Sequence, residues 1–282
     1  MPQTINTNLN SLNAQRNLST SQSSLAISMQ RLSSGLRVNS AKDDAAGLGI
    51  AERMTSQVRG MNVAIRNAND GISMAQTAEG AMGKVADSLQ RMRELAVQSA
   101  NGTNSSSDKA SLNQEYGQLG AEIQRVLAST SFNGTTILGA SAGAFQIKVG
   151  ANTTTNDVIT VTTTSLTTHA DIAAVTTTAS KIDGTADATA INAVITAVDT
   201  AINTINTQRA TMGAAQSRFD SAIGNLQIAV ENQSAARSRI MDTDFAQETA
   251  NLSRAQILQQ AGNAMVAQAN QLPQQVLALL RG

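Results

Sequence analysis

The fold is decided by one stretch of the chain, residues 191–230, which reads INAVITAVDTAINTINTQRATMGAAQSRFDSAIGNLQIAV. From Ile191 to Val230, one set of positions is spaced by alternating steps of four and three residues, and nearly all of these positions are apolar. This spacing places them on one face of an α-helix. At a rise of about 1.5 Å per residue, such a helix extends about 60 Å. A helix of this length needs a long partner, so the stretch predicts two long helices packed side by side.

The partner is predicted at about residues 45–100. Two sets of apolar residues recur there, each at intervals of seven positions. The two sets are Met61, Ala68, Ala75, Met82, Leu89 and Ala96, and Val58, Ile65 and Ile72. This repeat is typical of a coiled-coil seam, and an ordinary bundle core would produce the same spacing.

Both chain ends carry weaker helical patterns. Their apolar positions are Leu18, Leu25, Met29, Leu32 and Leu36 at one end, and Leu258, Met265, Leu272 and Leu279 at the other. The residues between them are mostly Asn, Gln, Ser and Thr, so few ion pairs stabilise either helix alone. We expect both ends to be disordered in a free subunit and to order when neighbouring subunits bury their apolar faces. Asp244 and Gln247 are predicted to form a capping box before the last helix.

The middle of the chain combines a third helix with strand signals. Asp108 is predicted as the N-cap of a helix that ends near Ser129. The Asn133-Gly134 pair is a turn signal, and alternating apolar residues at 145–149 and 159–163 predict a β-hairpin.

These patterns predict a mainly α fold, a long coiled-coil helical rod with paired terminal helices, a small β-hairpin and a short tip. The expected divisions are a terminal layer at 1–44 and 241–282, a long-helix part at 45–165 and 187–240, and a tip at 166–186. Because the tip is rich in Thr and Ala and poor in large apolar residues, it is predicted to be exposed and replaceable.

The composition excludes several classes of function. Cysteine and tryptophan are absent, His169 is the only histidine, and aromatic residues make up 2% of the chain. Disulfides, Cys-based metal sites and ring-lined catalytic pockets are therefore not available. The formal net charge is zero, which removes the electrostatic reason to bind nucleic acid or an anionic membrane. We expect no cofactor, no metal and a protein partner.

No apolar run approaches the length that spans a bilayer, and the N-terminus lacks the apolar core of a secretory signal peptide. Residues 1–41 contain Arg and many Ser but no acid, as in a transit peptide. The regularly spaced apolar residues of this segment favour a helix of the folded protein instead. We therefore expect neither membrane insertion nor a cleavable signal.

Several segments near the two ends resemble bacterial flagellin. They are INTN at 5–8, QRLSSGLR at 30–37, NSAKDDAAG at 39–47, ANLSRAQILQQAG at 250–262 and QANQLPQQVL at 268–277. The resemblance implies terminal helices that line a filament channel, an outer layer of long helices and a variable projection, here nearly absent. It also implies a homopolymer in the extracellular bacterial flagellum, exported by the flagellar type III route, with an export chaperone, hook-junction proteins and cap proteins as partners.

Residues 90–98, QRMRELAVQ, resemble the part of flagellin that is read by the flagellin-sensing Toll-like receptor of animal hosts. The resemblance implies that Arg91, Leu95 and Glu115 form one patch, exposed in the free subunit and covered by a neighbour in the filament. The alternative is that Leu95 packs in the filament and that Arg91 is an ordinary charged surface residue. Three C-terminal leucines resemble those seen by cytosolic inflammasome sensors, and the seam of the terminal coiled coil is their alternative role: Leu277, Leu279 and Leu280.

Two other functions are also compatible with the sequence. The same architecture would suit a minor junction or cap protein of the same appendage, or a coiled-coil adhesin. An enzyme would have to use His169 with Asp171, or Asp43 with Asp44. His169 lies in a Thr-rich stretch without an apolar scaffold, and the aspartates are placed to favour the dipole of the following helix. We therefore expect a structural protein and no enzyme.

Overall fold

The protein is described here from a computed structural model that covers residues 7–177 and 181–281, with side chains as far as residue 271. The helices are α1 (Leu9–Ser34), α2 (Ala45–Ser99), α3 (Ser106–Ser129), α4 (Ala170–Thr176), α5 (Ala188–Met241) and α6 (Phe245–Arg281). The strands are β1 (Ser131–Phe132), β2 (Thr135–Thr136), β3 (Ala144–Lys148) and β4 (Val158–Thr162), with a 3-10 turn at Thr155–Asp157. The mainly α fold with two long helices is confirmed.

The chain divides into two compact units. Unit 1 comprises Met1–Ser56 and Asn232–Gly282, and unit 2 comprises Gln57–Glu231. The long helices α2 and α5 each contribute to both units. Each unit is described separately below.

In unit 2, α2 and α5 pack antiparallel. Gly71 on α2 makes room for the ring of Phe219 on α5, because a Cβ at Gly71 would lie 2.7 Å from Phe219 Cζ. Further along, Arg93 Nε lies 2.6 Å from Asp199 Oδ1. Higher residue numbers on α2 thus contact lower residue numbers on α5, so the two helices run in opposite directions. The matched apolar patterns of the two stretches predict this arrangement.

The N-cap of the third helix is not the residue that was predicted. Ser105 is the N-cap of α3, and its hydroxyl accepts a hydrogen bond from the Asp108 backbone N–H. Asp108 occupies the third position, where its carboxylate accepts from the Ser105 backbone N–H at 3.0 Å. The prediction of Asp108 as N-cap is therefore wrong. A short serine side chain closes the first turn while the carboxylate reaches back to complete a capping box.

The two predicted β features are confirmed. β1 and β2 pair through a two-residue turn in which Asn133 and Gly134 have φ of 48° and 79°, the positive values that tight hairpins require. β3 and β4 form an antiparallel pair in which Phe145 faces Val161 and Ile147 faces Ile159. Ile159 and Val161 belong to the apolar core of unit 2.

The Thr-rich segment is not the exposed tip that was predicted. Four of its aliphatic side chains are fully buried or nearly so and belong to the core of unit 2: Leu166, Ile172, Val175 and Ile182. Helix α4 packs on α3, where the Gln124 amide donates to the Thr176 hydroxyl at 2.7 Å. The prediction failed because it relied on the high threonine content of the segment. Its few large apolar residues are brought together by the fold and pack against the core.

In unit 1, α1 and α6 pack antiparallel as the paired terminal helices that were predicted. The Asn8 amide donates to the Ala269 carbonyl at 2.7 Å, and the Ser11 hydroxyl donates to Asn270 Oδ1 at 2.7 Å. At the other end of the pair, Gly35 ends α1 in the left-handed conformation, with φ of 71°, and its N–H donates to the Arg31 carbonyl.

A short connection ties the ends of these helices to the end of α5. The Arg37 N–H donates to the Met241 carbonyl at 2.7 Å, and Val38, Ala51 and Met241 form a small apolar cluster. Asp244 caps α6 by accepting from the N–H groups of Ala246 and Gln247. The start of α6 and the capping role of Asp244 are as predicted, and the return bond from the Gln247 side chain that would complete a capping box stays a prediction.

Among the described helices, only α5 contains an 18-residue window that is long and apolar enough to cross a membrane by length and composition. The expectation that no segment reaches that level is corrected here. The cause is the seam of α5, where Ile191, Val198 and Ile205 raise the hydropathy. In this structure those side chains are buried in the core of unit 2.

Candidate functional site

Among the described residues, the buried positions of the α1–α6 pair are small or polar. They are Ser11, Ser28, Ala255, Ala269 and Glu248. Leucines such as Leu18 and Leu25 are partly buried, and Leu18 lies against Gly262 of α6. Several other large apolar side chains of the two helices are exposed: Leu9, Leu12, Ile27, Met29, Ile257, Leu258 and Met265. These seven exposed side chains, called the terminal face below, are the main candidate for an assembly site.

Two grooves run along the pair. One has a volume of about 600 Å³, and Leu18, Leu258 and Met265 are among its lining residues. The other has a volume of about 460 Å³ and combines Ile27 and Leu258 with polar and charged side chains, among them Arg31, Glu248 and Arg254. Grooves along a helix pair can accommodate the side-chain ridges of another helix.

One ion pair crosses the α1–α6 interface. Arg31 NH1 lies 3.7 Å from Glu248 Oε2, and the Glu248 side chain is 7% exposed. Since a buried carboxylate is costly without a partner, this pair favours the observed register of the two helices. Sequence reasoning missed it because the two residues are far apart in the chain.

The predicted receptor residues lie on α2 and α3 of unit 2. Arg91 Nε donates to Glu115 Oε1 at 2.9 Å, and Arg91 NH1 donates to Glu94 Oε2 at 2.9 Å. The hydrogen bond that Arg91 donates to Glu115, followed by the one it donates to Glu94, raises the pKa of Arg91 above its usual value. Both Arg91 and Glu115 are about half exposed. The structure therefore brings these two residues together at the surface.

Leu95 does not join them at the surface. It is fully buried, at 0% exposure, in the core that also contains Leu89 and Met92. The expectation that its side chain is exposed in the free subunit is wrong. Helix α2 carries contacts to α3 through Arg91 and to α5 through Arg93, so its buried stripe is wider than the seam of a two-helix coil and includes Leu95.

The three predicted C-terminal residues, Leu277, Leu279 and Leu280, lie on the last turns of α6, and their side chains fall outside the described part of the structure. No contact is assigned to them. Their interpretation rests on the sequence.

The residues that an enzyme would need are engaged in local structure. His169 Nδ1 lies 3.5 Å from Asp171 Oδ2, which accepts a 2.6 Å hydrogen bond from Thr204 and so ties α4 to α5. His169 is partly buried and not the fully solvated residue that was expected. Within the described residues, no group of three or more His, Cys, Asp or Glu could hold a metal ion.

Of the paired aspartates before α2, Asp44 caps the helix and Asp43 closes the preceding turn. Asp44 accepts from the Gly47 N–H at 2.7 Å, as expected of an acid at a helix N-terminus. Asp43 accepts from the Ser40 hydroxyl and N–H and from the Asn39 N–H. These bonds, with the Ser40 hydroxyl first, lower the pKa of Asp43.

Comparison with known proteins gives consistent results over nearly the whole chain. A solved structure of a putative flagellar hook-associated protein from Vibrio parahaemolyticus has a TM-score of 0.61 at 12% identity and covers 71% of this chain and 100% of that one. At this identity the likeness concerns the fold alone.

Sequence relatives are closer. "Flagellin" of Halalkalibacterium halodurans is 46% identical over 277 residues, covering 98% of this chain and 99% of the relative. The "Flagellar filament 33 kDa core protein" of Treponema phagedenis is 42% identical over 287 residues, with 98% and 99% coverage. The bacterial flagellin N-terminal helical region matches residues 5–142, and the C-terminal helical region matches residues 195–280. The chain therefore belongs to the bacterial flagellin family.

Proposed function

We propose that this chain polymerises through the terminal face of unit 1, which copies of the same chain cover. Family membership makes the chain a structural component of the bacterial flagellar filament, which lies outside the cell and serves motility. The finer proposal concerns how the subunits join. One observation carries it: the helices α1 and α6 expose seven large apolar side chains, whereas the buried residues described between them are small or polar.

The energetics favour a polymer over an isolated pair. Ordering a residue costs about 1–2 kcal/mol of backbone entropy, and burial of apolar surface returns roughly 25 cal/mol per Å². Because α1 and α6 bury little large apolar surface against each other, we infer that they fold fully when a neighbouring copy covers the terminal face. Repeated head-to-tail contacts that do not close a ring produce a helical filament.

A truncation tests this proposal. A chain that lacks residues 258–282 loses Leu258 and Met265, and we expect it to fail in seeded polymerisation while unit 2 still melts cooperatively. Long filaments from the truncated chain would overturn the proposal. A sharper test replaces Leu258 and Met265 by glutamine, which should also stop growth. The matched control replaces Leu258 by Met and Met265 by Leu and should still grow filaments.

We also propose that the Arg91–Glu115 surface is a recognition site for the host Toll-like receptor that the resemblance implies. The ion pair joins two helices and leaves both side chains half exposed, so a partner could contact it directly. Leu95 supports this surface from the core, as a positioning residue. The same surface is proposed as a subunit interface in the filament.

The test separates contact from packing. Arg91→Ala should reduce receptor activation by the free subunit and leave folding intact. Leu95→Ala should reduce activation only as far as it destabilises unit 2, which is measured against Leu127→Ala, an equally buried leucine. If Leu95→Ala lowers activation far more than Leu127→Ala at equal stability, the receptor contacts Leu95 itself. Unchanged activation by Arg91→Ala would contradict the assignment.

The remaining partners are proposed from the family resemblance. Inflammasome sensors would read Leu277, Leu279 and Leu280, an export chaperone would bind the C-terminal helix, and hook-junction and cap proteins would contact the filament ends. Truncation after residue 276 should abolish sensor activation. Retained activation would move that site elsewhere.

We propose that the chain has three functional parts. They are a terminal layer (1–44 and 241–282), a long-helix part (45–165 and 187–240) and a short segment (166–186). Limited proteolysis of free subunits checks it, because weakly stabilised ends should be trimmed first. Early cleavage inside the long-helix part would contradict this division.

A further inference from the structure

The oxidation chemistry open to this chain is confined to methionine. The sequence has ten methionines, no cysteine, no tryptophan and one tyrosine. The tyrosine, Tyr116, is 2% exposed. Thioether sulfur is therefore the group that a peroxide or hypochlorite would oxidise first.

The methionines are distributed unequally over the two units. Six of them are buried: Met61, Met74, Met82, Met92, Met212 and Met241. Met54 is partly buried, and Met1 lies outside the described residues. Among the described methionines, only Met29 and Met265 are exposed, at 51% and 59%. Both belong to the terminal face.

The two exposed thioethers have different surroundings. Met265 lines the larger groove together with Leu18 and Leu258 and with polar side chains that include Asn13 and Gln268. Met29 is exposed on α1, two residues from Ile27 and therefore on the other side of that helix. A neighbour that covers these positions packs against the two thioether side chains, whose own contribution to such a contact is apolar.

We propose that Met29 and Met265 are a reversible oxidation site that controls polymerisation. Hydrogen peroxide transfers one oxygen atom to the thioether sulfur, which loses two electrons, and its O–O bond breaks to leave water. The product is methionine sulfoxide, which is polar. Burying that oxygen against an apolar neighbour without a hydrogen bond is unfavourable. The inference rests on the proposed function, in which copies of the chain cover the terminal face.

This arrangement makes oxidation depend on the assembly state. In the free subunit the two sulfurs are open to solvent, while in the filament neighbouring copies would shield them. An oxidised subunit would be rejected at the growing end. A methionine sulfoxide reductase would restore its competence with a dithiol as the two-electron reductant, which is converted to a disulfide while the sulfoxide oxygen leaves as water.

The first experiment treats the full-length free subunit with hydrogen peroxide and maps oxidation by peptide mass spectrometry. Met29 and Met265 should be oxidised before Met82, Met92 and Met212. Seeded filament growth by the treated protein should slow by about tenfold, the size expected for one unpaired buried polar group. Incubation with the reductases for both sulfoxide epimers and dithiothreitol as the reductant should restore growth. Preformed filaments given the same dose should show little oxidation at either site.

The second experiment uses variants. Met29→Leu with Met265→Leu should make growth resistant to peroxide, whereas the control Met54→Leu should remain sensitive. Equal growth before and after peroxide in the wild type would overturn this inference and leave the assembly proposal standing, and so would failure of the reductase to restore growth. If untreated wild-type protein forms no filament at all, the assembly proposal fails and this inference falls with it.

Discussion

Units 1 and 2 use the same kinds of apolar residue and bury them very differently. Among the described residues, the largest fully buried side chains all belong to unit 2, including Phe219, Met82 and Leu89. Most of the exposed large apolar side chains belong to unit 1, including Leu9 and Ile257. Apolar content therefore does not by itself decide burial.

The difference lies in the number of neighbours that each helix has. In unit 2, α2 meets α3 and α5, and the core also includes side chains from β4 and α4. In unit 1, α1 and α6 pair with each other and bury one narrow stripe each. A two-helix pair covers too little surface to make a dry core, and this is the basis of the proposal that copies of the chain cover unit 1.

The largest effect that would test this comparison is deletion of residues 166–186. The deletion removes Leu166, Ile172, Val175 and Ile182 from the core, and each buried aliphatic contributes about 2–5 kcal/mol. The sum is comparable with the whole stability of a domain, so we expect unit 2 to lose its cooperative transition in calorimetry. The control, Thr168→Ala at an exposed position, should melt normally. Normal melting of the deletion variant would mean that the segment is a replaceable tip after all.

A pair of matched truncations sharpens the contrast between the units. Leu89→Ala should destabilise unit 2 by about 2–5 kcal/mol, because the site is fully buried. Leu258→Ala should change the unfolding free energy of the free subunit by about 0.5 kcal/mol or less, because its side chain is half exposed. Denaturant titration of both variants provides the measurement. Similar losses at the two sites would erase the proposed difference between the units.

A smaller effect is expected for the Arg31–Glu248 pair of unit 1. Arg31→Ala leaves the buried Glu248 carboxylate without its partner and should weaken the α1–α6 pairing by about 1–3 kcal/mol. In the assembled filament, faster amide hydrogen exchange along α6 would report this change. Arg16→Ala, at an exposed position of the same helix, is the control and should leave exchange unaltered. No change in either variant would show that the ion pair does not hold the helices together.

The smallest expected effect is the pH response of the α3 capping box in unit 2. Hydrogen bonds from the Ser105 hydroxyl and then its backbone N–H lower the pKa of Asp108 below 3.8. A lowered folded-state pKa contributes stability that is present above the unfolded pKa and is lost as pH falls through the folded value. We expect the first turn of α3 to fray in that acidic range, as followed by NMR. Asp108→Asn should remove the dependence, and a persistent one would implicate another group.

Helix periodicity was sufficient to predict the long elements of both units. The ladders predicted α2, α5 and the terminal helices to within a few residues at most boundaries, and strand alternation predicted β3 and β4. The resemblance in the end segments predicted the family. These features depend on neighbours close in the chain, or on patterns long enough to average out exceptions.

The same periodicity could not predict where the buried surface ends. Leu95 carries the same helical spacing whether α2 has one partner or two, and it is buried because α3 and α5 pack on different sides. The aliphatics of 166–186 are too few to form a pattern, yet they complete the core of unit 2. The Arg31–Glu248 pair joins residues distant in sequence and shows no local signal.

The sequence by itself determined the helices, the hairpin and the family, because these follow from backbone geometry and from the periodic placement of apolar residues. Only the tertiary structure decided which of those residues are covered. Leu89 and Leu258 are both leucines at heptad positions, but one is fully buried and the other is half exposed. Burial depends on the number and arrangement of elements that meet at a site, and that arrangement exists only once the chain has folded.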